Sequence, residues 1–426
     1  MTLEVERSEV PIILLINDEY GTSKGGVSTI NCQVGGTLKD KAAVYCTVLR
    51  VEKQDQEAAN GDGVRLIKPR QVRGDKTEPS VDWLTFQFRT YYPKENLPPH
   101  VDVVIGHAHV TDTAARNIKD EYYEKAELIT ITHVLPEDTD YFRGNHRAIK
   151  ASEKEKNMLD IVDNAKAAFS VGPRIYKHFT NKYRGKKRPR DHFMLLPRSS
   201  KIFEQAHIKP DSGDDEKVVL SVGRVKNVEH LKGYNLVGRS ISIAARYLEF
   251  LRWVARGISE DDFERSLKIL EDNLDSGDLI PTLRPYGTQE DILEDMMTAH
   301  LVLMPSRSEP FGLVGLEAIA AGVPVLISDQ SGLADMIKTF VDEKKFPRGL
   351  LNRIVKTSVR DSDMEENAKT WADKIRETLT DTETAFDDAK KFKAALLKSK
   401  YWEDSQNDFL QACGITGSAA QAQSSK

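Results

Sequence analysis

The stretch SRSEPFGLVGLEAIAAGVPVLIS, Ser306–Ser328, is the one whose reading decides the fold. Just upstream, Leu301–Met304 is a continuous apolar run, predicted as a strand. Pro305 and Pro310 confine the loop that follows, and Gly312 permits an unusual turn. A helix is predicted over Leu313–Ala321, closed by Gly322 in the manner of a glycine C-cap. A second buried strand is predicted over Pro324–Ile327. Strand, helix, strand is a βαβ unit, and unbroken apolar strands belong to parallel sheets covered on both faces. Two glutamates interrupt this segment. Glu309 lies in the loop before the helix and Glu317 just over one turn inside it, so both face a pocket at the helix N-terminus. Glu317 alone reads as a favourable charge near a helix start. Glu309, between two prolines and beside Phe311, has no such simple explanation.

The same pattern extends in both directions. In the first half, strands are predicted at Ile12–Ile16, Ala43–Leu49, Val101–Ile105, Leu128–Thr132, Ala167–Val171 and Phe193–Leu196. Helices are predicted at Val27–Leu38, Thr111–Tyr123, Ser152–Ala165 and Pro173–Tyr183. In the second half, further strands are predicted at Val218–Val222, Phe250–Ala255 and Leu279–Arg284. Helices follow at Tyr234–Tyr247, Glu260–Leu274, Gln289–Thr298 and Gly332–Phe340. Two βαβ successions in 426 residues give two doubly wound α/β domains. The junction falls near Leu196–Pro210, before the polar run DSGDDE. The expected division is 1–197 and 198–393, then a helix within 394–412 and a disordered tail over 413–426.

Composition narrows the class. The net charge of -5 and charged content of 30% describe a soluble globular chain with no general drive toward nucleic acid or membrane. Three cysteines without a CxxC argue against a disulfide framework. The N-terminus MTLEVERSEV is acidic and no apolar run suits a membrane helix, so a cytoplasmic setting is expected.

In open parallel sheets ligands bind beyond the carboxyl ends of the strands. Four such loops carry candidate chemistry. The first, NDEYGTSKGGVSTIN, places Lys24, Gly25 and Gly26 at a helix start, where free amides attract an anion. The second, GHAHVTDT, places His107 and His109 at a strand end, and His133 ends another strand. An HxH pair also suits a metal, but no third ligand is near. The third, GRVKNVEHLKGY, sets Arg224 and Lys232 around a loop leading into a helix. Two such cations suit a diphosphate. The fourth is the Glu309–Glu317 segment.

EPFGLVGLE resembles the E-x7-E motif of retaining GT-B glycosyltransferases, the group that includes the glycogen synthases and glycosyltransferase family four. SVGR with the later KG resembles that group's basic diphosphate pair, KGG its glycine loop, and HAH its histidine motif. The four matches occur in family order. The resemblance implies two Rossmann-like domains facing across a cleft that holds a nucleotide-sugar donor, with UDP-glucose-type donors favoured and no metal or other cofactor required. It implies that Arg224 and Lys232 hold the diphosphate and Glu317 the ribose hydroxyls. Glu309 would contact the donor sugar, with Phe311, Gly312 and Leu313 offering backbone amides. Gly25 and Gly26 would line the other side. His109 would sit near the reacting centre, with His107 less favoured. The acceptor is not identified, and front-face attack with retention implies no protein nucleophile. The resemblance also implies that the aromatic C-terminal helix, Ala394–Leu410, returns to the first domain, anchored by Tyr401 and Trp402.

Other features read differently. Asp138-Thr139-Asp140 spells the DxD of metal-dependent GT-A enzymes, but within this succession it reads as an exposed acidic turn. The basic run Lys182–Arg190 reads as a solvated loop, and no nucleic-acid partner is expected. The histidine motif lacks the acidic-aromatic continuation of the synthases. A module that binds a nucleotide-sugar without turnover, or a GT-B epimerase or phosphorylase, are the competing readings.

Overall fold

The computed structural model describes residues 10–22, 25–74, 76–141, 145–208, 216–226, 228–274 and 279–415. Lys24, the DSGDDE run up to Asp215 and the tail from 416 lie outside these residues.

The first domain contributes strands β1 (Ile12–Ile16), β2 (Ala43–Thr47), β3 (Val64–Ile67), β4 (Val103–His107), β5 (Glu127–Thr132), β6 (Ala167–Val171) and β7 (Asp191–Leu195). They form one sheet in the order β3-β2-β1-β4-β5-β6-β7, and every pair is parallel. Its helices are α1 (Gly26–Leu38), α2 (Lys53–Asp62), α3 (Val81–Thr85), α4 (Phe88–Tyr91), α5 (Asp112–Tyr122), α6 (Pro136–Tyr141), α7 (Asn145–Val162) and α8 (Pro173–Lys182). The short α9 (Lys201–Gln205) follows β7.

The second domain contributes β8 (Lys217–Val222), β9 (Leu251–Arg256), β10 (Thr282–Arg284), β11 (Leu301–Met304), β12 (Val325–Ser328) and β13 (Ile354–Val355). Their order is β10-β9-β8-β11-β12-β13, again all parallel. The helices are α10 (Glu229–Lys232), α11 (Tyr234–Ala245), α12 (Phe263–Glu271), α13 (Gln289–Thr298), α14 (Leu313–Ala321), α15 (Gly332–Asp342) and α16 (Met364–Thr380). Two more, α17 (Thr382–Ser399) and α18 (Glu403–Ala412), end the described chain.

Both domains are the doubly wound, Rossmann-like units of the GT-B architecture. The central strands are apolar throughout because helices cover both faces: Ile13, Leu14, Leu15 and Ile16 of β1 are fully buried, as are Leu301 and Val302 of β11. Strand order reverses between β1 and β4, and again between β8 and β11. A crevice opens at each such switch point. The loops after β1, β4, β8 and β11 are the four that carry the sequence motifs, so the topology gathers the motifs at two facing crevices.

The structure departs from the sequence expectations in several places. β3 and β13 are additional edge strands. The C-terminal helix is two helices: α17 packs on α14, and Lys400, in the left-handed region at φ 47°, turns the chain into α18. α18 lies on the first domain, against β7 and α1. There the Leu196 amide donates to Ser405 Oγ at 3.1 Å. The Tyr401 hydroxyl donates to the Pro197 carbonyl at 2.8 Å, and the Arg198 guanidinium lies 4.2 Å from the Trp402 ring centroid. Asp138-Thr139-Asp140 is not an exposed turn. It lies in α6, where Asp140 is buried and accepts from Lys154 at 2.5 Å. In the basic run, Lys182, Lys187 and Arg190 pair with Glu155, Asp160 and Glu127, at the end of the first sheet away from the crevice.

Candidate active site

Glu309 is held by its backbone and its side chain. Its amide donates to the Gln330 carbonyl at 3.0 Å, and its carbonyl accepts from the Gly332 amide at 3.0 Å. These bonds fix the loop after β11 against the start of α15. The carboxylate accepts from Lys232 Nζ at 2.6 Å and from Ser306 Oγ at 3.2 Å. Lys232 ends α10, and the Arg307 amide binds the Leu231 carbonyl at 2.9 Å, which ties this loop to the one after β8. The structure therefore joins the third and fourth motifs through an ion pair whose side chains are 33% and 14% exposed.

Gly312 makes the turn from that loop into α14. Its φ is 114°, and a Cβ there would come within 2.7 Å of the Met304 side chain. Only glycine takes this conformation in this space. Phe311 is buried, with its ring packed on Gly172 of the β6–α8 turn, so it closes the junction between domains. Leu313 starts α14 and is half-buried.

Glu317 projects from α14 and is buried, with no hydrogen bond or ion pair among the described residues. Burial pushes its carboxyl up to about 8. A buried acid without a partner is costly, and it becomes intelligible when hydroxyl donors fill the space beside it.

Across the crevice, Gly26 opens α1. A Cβ on Gly26 would lie 3.7 Å from the Leu313 side chain, so the glycine loop faces the start of α14 directly. At Gly25 a Cβ would meet nothing within 4 Å. Ser28, in the same turn, hydrogen-bonds the Glu19 carboxylate.

The three histidines separate. His107 is 1% exposed at the end of β4 and is clamped on both sides. Its Nε2 lies 3.0 Å from Asn31 Oδ1 and its Nδ1 lies 2.8 Å from His133 Nε2. Asn31 Nδ2 faces Cys46 Sγ at 3.5 Å, which orients its oxygen toward His107. His107 then donates to Asn31 and accepts from His133, so the chain of rings is neutral. Burial lowers the His107 ring to about 3 and holds His133 well below its ordinary range. His107 is therefore an internal support, and half-buried His133 is the ring nearer the surface. His109 is exposed, with φ 65°, and its backbone amide binds the Asp112 carboxylate.

Arg224 is exposed beyond β8 and borders a shallow hollow open to solvent. Tyr286, 48% exposed, forms one wall, and Asp262 pairs with Lys226 at another. Ser266 lines the same hollow; its hydroxyl is buried and has no partner among the described residues. Asn31, Ser266 and Tyr286 were not singled out by sequence. Asn31 lies deep in α1, and only the distant His107 reveals its role. Tyr286 stands two residues beyond a short strand, the one position at which a search of strand-end loops would have found it.

Comparison with known proteins agrees with this arrangement. The profile described as Family 4 Glycosyltransferase in conflict systems matches residues 14–409. An uncharacterised glycosyltransferase of Methanocaldococcus jannaschii is 32% identical over 133 residues, 29% of this chain and 30% of its own length. A D-inositol 3-phosphate glycosyltransferase of Mycolicibacterium smegmatis is 34% identical over 121 residues, 28% and 26% of the two chains. The matched segments thus span under a third of these relatives. Among solved structures, sucrose-phosphate synthase of Thermosynechococcus elongatus superposes with a TM-score of 0.70 at 17% identity, covering 94% of this chain and 98% of its own. Anabaena HepE in complex with UDP-glucose gives 0.61 at 12% identity, covering 94% and 99%. The two sheets are those of the GT-B fold, and the chain belongs to the family 4 glycosyltransferases of conflict systems.

Proposed function

We infer that the protein transfers a hexosyl unit from a nucleotide-diphosphate sugar, with UDP-sugars favoured, to an acceptor hydroxyl with retention of anomeric configuration. The observation that carries this reading is the Lys232–Glu309 pair and the unpartnered Glu317, set on either side of the start of α14, where Leu313 faces Gly26. A nucleotide-sugar is a polyol joined to a dianion. Glu317 suits the ribose hydroxyls and Glu309 the sugar hydroxyls. Arg224, Lys232 and the amides at the start of α14 suit the diphosphate. The hollow beside Arg224, walled by Tyr286, suits the base.

In the reaction the acceptor oxygen bonds to the anomeric carbon as the bond to the diphosphate oxygen breaks. The acceptor proton leaves with the diphosphate. Negative charge then builds on the terminal phosphate, and fixed cations and amides stabilise it in a closed cleft. We place this role on Arg224 and Lys232, without a metal. Glu309 is engaged by Lys232 and Ser306, which suits a positioned acceptor of hydrogen bonds and not a nucleophile.

The test is donor hydrolysis without acceptor, using UDP-, ADP- and GDP-sugars with and without EDTA. Wild type is expected to release UDP slowly and independently of EDTA. Arg224→Ala and Glu309→Gln should each lose roughly 10²–10³-fold, about 3–4 kcal/mol. Tight nucleotide binding without turnover, even with acceptors supplied, would favour a binding module instead. Loss of release in EDTA would overturn the metal-independent mechanism.

A further inference from the structure

The interior between α1, β2 and the ends of β4 and β5 holds one chain of hydrogen bonds with a fixed direction. It is rooted on the Thr47 carbonyl, which can only accept. Cys46 Sγ donates to that carbonyl at 3.3 Å. Burial pushes the thiol up to about 12, so it keeps its proton. The sulfur accepts from Asn31 Nδ2 at 3.5 Å, which leaves Asn31 Oδ1 to accept from His107 Nε2 at 3.0 Å. A neutral imidazole carries one N–H, so His107 Nδ1 is an acceptor and takes the His133 Nε2 proton at 2.8 Å. By the same count, His133 Nδ1 carries a bare lone pair.

The chain runs from deep in the fold to the crevice end of the sheet. Thr47, Cys46 and Asn31 are fully buried. Asn31 belongs to α1, the helix whose first residue, Gly26, faces Leu313. His133 stands one residue beyond β5, which pairs with β4 at the carboxyl end of the first sheet. Its ring is half-buried. Its Nδ1 has no partner among the described residues and is not sealed from solvent. A nitrogen that can only accept, at the edge of a site for polyols, calls for a hydroxyl.

We propose that Asn31 is a positioning residue: through His107 it fixes His133 as the Nε2–H tautomer, so that His133 Nδ1 accepts a hydrogen bond from a substrate hydroxyl. The proposal rests on the glycosyl-transfer reading of the crevice. The hydroxyl belongs to the donor sugar or to the attacking molecule, and both present the same chemistry. Burial holds His133 well below its ordinary range, so the ring orients that hydroxyl and does not take its proton. Asn31→Leu keeps the volume and removes the acceptor. A His107 Nε2–H would then be buried without a partner, which is costly. The pair escapes that cost by reversing: His107 donates from Nδ1 to His133 Nε2, and His133 turns an Nδ1–H outward.

The test begins with nitrogen NMR of the imidazole rings in the full chain, with His133 assigned by the signal missing from His133→Phe. Wild type should show His133 as the Nε2–H tautomer, and Asn31→Leu should shift it toward Nδ1–H. Cys46→Ser, which also donates and accepts, should keep the wild-type form. Cys46→Ala removes the anchor of the Asn31 amide and should populate both tautomers; it serves where Asn31→Leu does not fold. Calorimetry with UDP and UDP-glucose, and donor hydrolysis, then locate the hydroxyl. Asn31→Leu should leave UDP binding unchanged. For a donor-sugar hydroxyl, UDP-glucose should bind roughly three- to tenfold more weakly. For an attacking hydroxyl, kcat should fall by a similar factor with both affinities unchanged. An unshifted tautomer, an equal loss of UDP and UDP-glucose binding, or no change in affinity or kcat would overturn the proposal. Wild type that binds neither UDP nor UDP-glucose would overturn the donor reading and this role with it. A null result confined to the variants overturns the role alone.

Discussion

At the scale of single residues, Glu317 offers the sharpest test. Its carboxyl has an ordinary value of 4.5 and is pushed up to about 8 by burial. Between these two values the folded chain holds a proton that the unfolded chain has released. Stability therefore falls as pH rises through this window. Glu317→Gln removes the titration. The stability of Glu317→Gln relative to wild type should be lowest near pH 4.5 and rise to a plateau above pH 8, by an amount on the order of a few kcal/mol. Urea unfolding at several pH values measures it, and a pH-independent difference would show the carboxyl ionised in the fold. Ribose hydroxyls are donors, so UDP should bind the carboxylate and displace the proton. Its affinity should then rise with pH by at most about tenfold per unit below pH 8, and Glu317→Gln should flatten that rise. The loop position of Glu309 and the helix position of Glu317 were legible in the sequence because turn residues and a helix start fix them, and the structure pairs Glu309 with Lys232. The histidines were not. Whether a strand-end ring faces solvent depends on partners such as Asn31, 76 positions from His107.

At the scale of elements, α14 is where local sequence and function coincide. Its span was readable because Gly312 and Gly322 bound it, and the flanking runs of β11 and β12 are unambiguous. The edge strand β3 was not readable: VRLI carries an exposed Arg65 and resembles a loop with apolar residues. The break at Lys400 carries neither glycine nor proline, so α17 and α18 read as one helix. Gly312 also makes a prediction. Alanine there must hold a positive φ, which costs about 1–3 kcal/mol, while displacing Met304. Gly312→Ala should lower the melting temperature and weaken UDP binding together, because the turn sets the amides at the start of α14. Calorimetry and thermal melting read both. A variant that melts lower yet binds UDP as well as wild type would show that the turn supports the fold alone.

At the scale of the whole molecule, two devices join the Phe311–Gly172 contact in holding the domains together. One is α18, whose Phe409 packs edge-on against Phe169 at 5.2 Å. Removal of residues from 401 onward uncovers Phe169 and strips Pro197 and Leu196 of their partners. That truncation should lower the melting temperature and abolish donor hydrolysis; unchanged melting and activity would show that α18 is dispensable. The other device is Arg174, which follows Gly172 at the start of α8. It donates to both Asp335 oxygens, at 2.8 and 3.2 Å, and to the Asp329 carbonyl at 3.0 Å. This fork crosses from the first domain to α15, next to the Phe311 ring on Gly172. It thus lies beside the Phe311 contact and the Gln330–Gly332 segment that holds the Glu309 backbone. If the pair sets the angle between domains, Arg174→Ala and Asp335→Ala should change kcat and KM together. Their effects should also be strongly non-additive, with a coupling of about 0.5–3 kcal/mol in a double-mutant cycle on kcat/KM. Additive effects would mean that each side chain acts on its own domain, and that Phe311 and α18 carry the alignment without this pair.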